Sequence, residues 1–337
     1  MDSIAFNRIV LIADNAPSEG LPNDLYYLDS DKAQSNNVSA IKSALETIAN
    51  EVVFYDSAEK FTFNSSEHVK DLVFPYWHGE KSRNKQALVS AVCEAAGIRY
   101  VGADTYTNII CCDKVLAKDV CKMNGVFVPE SISFNKCITV QELPKLKFPL
   151  IIKPNFEGSS IGISQNNLII SPDPHAVADK VNEIYENLGE QVIVEQFIPG
   201  KEISVSIIGW RNHIEVWGAV ERYSPGDESY FENHLHSHQD KINDTILLRN
   251  TKHLLTDSMM SNLFELFDSL DKVEYMRIDG KLFNNKFYCF ELSQDTTLAP
   301  DGAFFKAISF EGYEFKQAVE LIVMNCLERY RNLYPNQ

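Results

Sequence analysis

The chain has 337 residues, 45% of them hydrophobic, and a formal net charge of −16. That length supports two or three domains, and the composition is globular, not fibrous or disordered. So acidic a chain argues against nonspecific binding to nucleic acid or to an anionic membrane, and any anionic ligand needs a local basic pocket.

"RIVLIAD" near the start reads as a buried first strand and not as a signal peptide. "NVSAIKSALETIA" places Val38, Ile41, Leu45 and Ile48 on one helical face. "EVVFYD" and "KDLVFPYW" are short apolar runs, "QALVSAVCEAAG" is a helix closed by Gly97, and "IRYVGAD" returns to strand. This alternation predicts a Rossmann-like domain over 1–103 with an open, mostly parallel sheet. It lacks GxGxxG, so dinucleotide binding is not expected there.

A second unit, 104–193, holds the helix "DKVLAKDVCKMNG" ending at Gly125 and the strands "VFVPESISF", "FPLIIKP" and "IGIS". A helix from Asp173 or Pro174 to Gly189 follows. The third unit, 194–337, has the strands "VIVEQFI", "EISVSIIG" and "EVWGAVER", then a polar stretch (223–245), a helix (252–270), a hairpin (274–293) and a helix (314–332). No run reaches the roughly 20 apolar residues of a membrane span. The seven cysteines form no CxxC pair, Cys111 and Cys112 being merely adjacent, and read as reduced, mostly buried thiols of a cytoplasmic protein.

The loop Glu157–Gly162 is longer than a tight hairpin needs. Its glycines permit positive φ, its N–H groups and serine hydroxyls can hold phosphate oxygens, and Lys153 adds charge at its base. Taken alone, a mobile hairpin with an incidental lysine explains it equally well. A Walker A loop is absent.

In order along the chain come "HGE" (78–80), "DKVLAK" (113–118), "FPLIIKPNFEGSSIGIS" (148–164), "VIVEQFIPGKEISVSIIG" (192–209) and "RIDGKLFNNKFYCFEL" (277–292). Together they resemble the D-alanine–D-alanine ligase family of the ATP-grasp superfamily, from about residue 75 onward. The resemblance implies an α/β chain: an N-terminal Rossmann-like (pre-ATP-grasp) domain followed by a two-lobed α+β ATP-grasp domain. It implies that Lys114 and Lys153 contact the phosphates and the adenine side, and that Glu195, Gln196, Phe197 and Ile198 form the adenine hinge. Glu202 would hold the ribose, and Glu157, Ser159 and Ser160 would close over the phosphates. Arg277, Ser159 and His78 are the catalytic candidates.

Strand alternation puts Arg277 with Asp279 on one face, and Glu291 with Ser293. For Asp279 to face Glu291, the turn needs three residues, Asn284-Asn285-Lys286, with Tyr288 and Phe290 pointing to the core. Two carboxylates on one face suit Mg²⁺ (or Mn²⁺), with Asp279, Glu291 and Ser293 as ligands. An exposed Arg–carboxylate cluster is the plain alternative.

The chain departs from the family in five places. Ser293 stands where the family has an asparagine ligand, with Asp295 or water as substitutes. Thr296-Thr297 replace a Pro-Gly pair that precedes the serines gripping the second substrate's carboxylate. Asp14 and Glu19 are the loose candidates for an ammonium-binding glutamate, and Lys81, Arg83 and Lys85 add basic charge after "HGE". His234, His236 and His238 read as a solvated loop, with His234 as candidate phosphate-lid cation and a zinc site the lesser possibility.

The expected function is an ATP-dependent carboxylate–amine ligase. It joins small amino-acid or dipeptide-like substrates through an acyl phosphate, releases ADP and phosphate, and works as a homodimer. The alternatives are the cell-wall enzyme making D-alanyl-D-alanine and a nucleotide-binding module without turnover.

Overall fold

The computed structural model describes residues 6–14, 24–79, 82–145, 147–237, 239–240 and 245–334, and builds them around three sheets. The unbroken apolar run Ile9–Ala13 is the pattern of a strand covered on both faces. Strand β1 (Phe6–Ala13) accordingly lies inside a parallel sheet of order β2-β1-β3-β4, with β2 at Ala49–Tyr55, β3 at Leu72–Tyr76 and β4 at Arg99–Tyr100. Helix α1 (Ser35–Leu45) buries Val38, Ile41 and Leu45 against one face. Helices α2 (Ala58–Asn64) and α3 (Leu88–Ala96) cover the other, and Gly97 closes α3 at φ 67°. The strand order reverses between β1 and β3. Their carboxyl ends, where Asp14 and His78 sit, therefore flank the crevice that open sheets use for ligands.

The second sheet is antiparallel, β5-β8-β6-β7, with β5 at Ser131–Phe134, β6 at Leu150–Pro154, β7 at Leu168–Ile169 and β8 at Val192–Gln196. Between β4 and β5 come α4 (Thr105–Cys112) and α5 (Lys114–Met123), the latter followed by Gly125 at φ 71°. Helix α6 (Pro174–Leu188) starts from an Asp173 cap with proline in its first turn, stops at Gly189 with φ 67°, and packs Val177, Val181 and Ile184 onto this sheet. "IGIS" is not a strand. Gly162 sits at φ 70° and donates to the Leu25 carbonyl at 2.8 Å, which turns the chain aside until pairing resumes at Leu168. Strand β8 spans the division expected at 193/194 and bonds to both β5 and β6.

The third sheet is β11-β10-β9-β12-β13, with β9 at Lys201–Trp210, β10 at His213–Tyr223, β11 at Leu247–Asn250, β12 at Tyr275–Phe283 and β13 at Lys286–Ser293. Its apolar face, with Ile203, Val205, Ile207 and Ile278, packs on α4, α5 and the helix Asp257–Ser269. The two helices before β5 thus build the core of the last sheet, not of the second. The terminal helix Phe315–Leu333 returns to the N-terminal sheet beside α1. Its Arg329 is held there by buried Glu274, just before β12, and donates to the Tyr100 carbonyl at 2.7 Å.

Candidate active site

The β12–β13 hairpin sets the polar face. Its turn holds two residues, Asn284 and Asn285, both left-handed (φ 48° and 55°), and Phe283 pairs with Lys286. On a flat ladder that register would oppose Asp279 to Phe290. A one-residue bulge at Phe290 corrects it: Gly280 pairs with Cys289 and Asp279 with Glu291. The expected facing of the two carboxylates is present, but a bulge produces it and not a three-residue turn. The two-residue turn also redirects the aromatics expected in the core. Phe287 and Cys289 fill the core, Tyr288 is half-buried, and Phe290 lines the cleft, 5.4 Å from the Lys153 ammonium.

Alternation extends this face across three strands. Glu202, Ser204 and Ser206 on β9 pair with Lys281, Asp279 and Arg277 on β12, and Arg222 on β10 pairs with Glu202. Arg277 donates from Nε and Nη2 to Asp279 at 2.9 and 2.8 Å and from Nη1 to Thr296 at 2.8 Å. Burial alone would raise the Asp279 carboxyl, but the Arg277 and Arg222 guanidiniums hold it below the usual carboxylate range. Burial lowers the Lys281 ammonium, and Glu202, 3.4 Å away, partly restores it.

The opposing wall comes from the second sheet and α5. Lys114 and Lys118 lie one helical turn apart, both buried. Asp113 caps α5 through the N–H groups of Val115 and Leu116, and buried Asn155 ties that cap to the strand end by donating to Asp113 at 2.9 Å. Lys114 donates to the Glu157 carbonyl at 2.7 Å. Lys153 and Lys118 flank the buried Glu195 carboxylate, Lys153 at 2.9 Å. Burial would raise Glu195, but the two lysines keep it below its ordinary value.

In the loop, Ser159 and Ser160 rather than Gly158 adopt the left-handed conformation, at φ 48° and 63°. Ser160 donates to the His236 carbonyl at 3.0 Å, and Gln165 donates to the Leu235 carbonyl at 2.8 Å, so the 234–237 segment is pinned over the loop. His236, not His234, reaches the cleft, 3.9 Å from Glu202. His234 stacks on Tyr230 at 4.4 Å with Nδ1 against the Tyr230 carbonyl, which removes it from the lid role. No cluster of three metal-binding side chains forms among the described residues; Glu19, Glu80, Lys81 and His238 lie outside them.

Behind the loop, Glu190 accepts the Phe156 N–H at 3.1 Å, and burial together with nearby Glu157 pushes its carboxyl up to about 7. A carboxyl raised on folding stabilises fully below its unfolded range, and that contribution is lost as pH rises through the folded value. The melting temperature is therefore expected to fall between about pH 5 and 8, and less so in Glu190→Gln. Parallel falls in both proteins would exclude Glu190 as the cause.

Across the cleft, Asp14 accepts the N–H groups of His78 and Gly79 at 3.3 and 2.8 Å, so the β1 and β3 ends are joined at the crevice. Burial raises the Asp14 carboxyl. His78 Nδ1 lies 3.3 Å from Asp295. Lys85 is buried against Glu157 at 2.8 Å, while Arg83 is exposed.

These walls enclose a cavity of about 470 Å³. His78, Lys114, Lys153, Glu157, Ser159, Ser160, residues 195–198, Glu202, Arg277, Asp279 and Glu291 all border it. Ser293 borders only an adjoining smaller cavity. Sequence reading did not single out Lys118, Arg222 or Lys281. The repeat of Lys114 four residues on signals the first, and the i, i+2, i+4 run Arg277, Asp279, Lys281 signals the last.

The donor chemistry fits Mg²⁺. Two carboxylates face one another across a ladder, Glu291 is open to the cleft with 28% of its side chain exposed, and phosphate oxygens and water can complete the set. Ser293 offers only a neutral hydroxyl, 3.4 Å from Arg277, and Asp295 is engaged by Gln86 and His78.

A profile of the family described as D-ala D-ala ligase C-terminus matches residues 120–324, more than half of the chain. Over 286 residues the chain is 27% identical to a D-alanine–D-alanine ligase of Thermotoga petrophila, covering 84% of this chain and 89% of that one. In fold it is similar to a D-alanine–D-alanine ligase of Bacillus anthracis solved with ATP: TM-score 0.70, 16% identity, 96% of this chain and 99% of that one. It is also similar to a D-Ala:D-Ser ligase of Enterococcus faecalis, with TM-score 0.68 and 19% identity over 95% and 99% of the two chains. With this profile spread over the very strands that build the cleft, the chain belongs to the D-alanine–D-alanine ligase family and is an ADP-forming ligase of the ATP-grasp fold.

Proposed function

We propose that the cleft binds ATP and Mg²⁺ and activates the carboxylate of a small amino-acid or dipeptide-like donor for capture by an amine. One observation carries this reading. A polar strand face bearing Glu202, Arg277, Asp279 and Glu291 confronts Lys114, Lys153 and the serine loop across a single cavity, in a chain whose net charge is −16. Lysines and an arginine to meet phosphate oxygens, with carboxylates to hold a divalent cation, are what a magnesium-bound triphosphate requires.

The purine lies along the Glu195–Ile198 hinge, with Phe290 offering an aromatic surface, and Glu202 accepts from the ribose hydroxyls. Lys114, Lys153, Ser159 and Ser160 hold the phosphates. Bound by Asp279 and Glu291, Mg²⁺ supplies charge that neutralises the triphosphate. A donor carboxylate oxygen then forms a bond to the γ-phosphorus while the bond to the β,γ-bridging oxygen breaks, and ADP leaves with that electron pair. The Arg277 guanidinium stabilises the charge that develops. His78, at the crevice between β1 and β3, faces the donor side. No side chain is required as a covalent nucleophile.

The seven cysteines are all free, which suits a reducing compartment such as the cytoplasm. Assembly as a homodimer accompanies this reading and is checked by light scattering.

Purified protein with ATP, Mg²⁺ and paired D- and L-amino acids or amines is expected to release ADP and phosphate in equal amounts for accepted pairs only. Release with D-alanine alone would assign the cell-wall reaction. No release with any carboxylate would overturn the proposal.

A further inference from the structure

The cavity runs past the phosphate loop to an end that the nucleotide does not need. Ser30, Lys32, Gln34 and Asn37 border it there, with Tyr76 and His78 from the β3 side. The segment that carries Ser30 is anchored at both ends. Its Leu25 carbonyl accepts the Gly162 N–H at 2.8 Å, and the Tyr26 hydroxyl donates to Glu183 on α6 at 2.8 Å. A 3₁₀ turn, Leu28–Asp31, then leads into α1 on the N-terminal sheet.

Two features here call for an acceptor oxygen. Helix α1 has 11 residues, and Gln34 stands at its cap without a side-chain hydrogen bond. The Gln34 carbonyl accepts the Asn37 and Val38 N–H groups at 3.0 and 3.1 Å, and the N–H groups of Ser35 and Asn36 have no intrahelical partner. Such a terminus favours oxygen acceptors. Independently, Ser30 is 9% exposed, yet its hydroxyl makes no hydrogen bond among the described residues. A buried hydroxyl left without a partner is costly, and a ligand oxygen removes that cost.

The charges exclude a free ammonium at this end. The carboxylates bordering the cavity, Glu157, Glu195, Glu202, Asp279 and Glu291, belong to the phosphate loop, the hinge and the metal-binding strand face. Asp14 is turned to the N–H groups of His78 and Gly79, and Asp295 is engaged by Gln86 and His78. An ammonium would therefore meet the Lys32 side chain and no uncommitted carboxylate among the described residues. An amide brings an acceptor oxygen and no charge.

We propose that this end is an amide subsite for the donor, so that the activated carboxylate belongs to an N-acylated amino acid or to the last residue of a peptide. The amide oxygen accepts from the Ser30 hydroxyl and the first turn of α1, and the Asn37 carboxamide oxygen accepts the amide N–H. Ser30 is the specificity residue.

The inference rests on the ligase reading above, and the test separates the two. The unaltered chain is given ATP, Mg²⁺, hydroxylamine and matched carboxylates: alanine, N-acetylalanine and glycylalanine in D and L forms, propanoate, and a wider carboxylate panel. Hydroxylamine nitrogen bonds to the acyl carbon of an acyl phosphate while the C–O bond to phosphate breaks. Phosphate leaves with that electron pair, nitrogen loses a proton, and a hydroxamate results. The two acylated donors are expected to give kcat/KM about tenfold or more above alanine and propanoate. Ser30→Ala should raise KM for N-acetylalanine about tenfold and change propanoate little. Equal or better use of alanine, or hydroxamate from other carboxylates but not from the acylated donors, overturns this proposal and leaves the ligase reading standing. No hydroxamate from any carboxylate overturns both. The donor comparison uses the unaltered chain and so does not depend on a variant folding.

Discussion

Replacing Arg277 with alanine is expected to lower kcat by about 10²–10³-fold, the usual cost of removing a donor aimed at charge that exists only in the transition state. Three features single out Arg277 for the largest expected effect. It sits on the Asp279 face, its fork spans Asp279 and Thr296, and it borders both cavities. Lysine keeps the charge but cannot bridge two partners in a plane, so Arg277→Lys should recover only part of the loss. Because Asp279 has 4% of its side chain exposed, losing the guanidinium also leaves a buried carboxylate with only Arg222 and Ser204 beside it. The variant should therefore melt earlier, and Mg²⁺ with nucleotide should restore part of that difference. Steady-state ADP release separates the two effects: the fall should appear in kcat with a small change in KM for ATP. Turnover within about twofold of the unaltered protein would remove Arg277 from the chemistry.

Replacing Arg329 with methionine is expected to cost about 3–5 kcal/mol of folding stability, the penalty for leaving one half of a buried ion pair uncompensated. Arg329 is 2% exposed and Glu274 is not exposed at all. Arg329 Nε faces the Glu274 carboxylate at 2.5 Å, and the other Glu274 oxygen accepts the Gly102 N–H at 2.6 Å. Glu274 immediately precedes β12, which opens with Tyr275, Met276 and Arg277. The pair therefore ties the terminal helix both to the end of the N-terminal sheet and to the strand that carries Arg277 and Asp279. Chemical denaturation of Arg329→Met against the unaltered chain measures the effect. The double variant Arg329→Met/Glu274→Gln should recover part of it, because no buried charge is then left alone. A loss below about 1 kcal/mol in the single variant would show that the pair is not what holds these elements together.

Much of the framework around the cleft was legible because its signals are local. The start of α6 needs the Asp173 side chain to accept the His175 and Ala176 N–H groups, and its end at Gly189 and the closure of α3 at Gly97 need left-handed backbone that few residues tolerate. Strand alternation put Arg277 beside Asp279, and the same rule carried one step further would have reached Lys281. Spacing alone does not distinguish His234 from His236. Stacking on Tyr230 takes one away from the cleft, and the bond from Ser160 to the other's carbonyl holds that one over it.

The chain by itself determined the family motifs, the helix ends, and the set of charged side chains that one strand face presents, since each follows from neighbours within a few positions. Only the tertiary structure decided that a bulge at Phe290 pairs Asp279 with Glu291, that Lys85 braces Glu157 from 72 residues away, and that Gln86 meets Asp295 across 209. Contacts at such separations depend on how whole sheets and domains pack, and no local preference of the backbone encodes them.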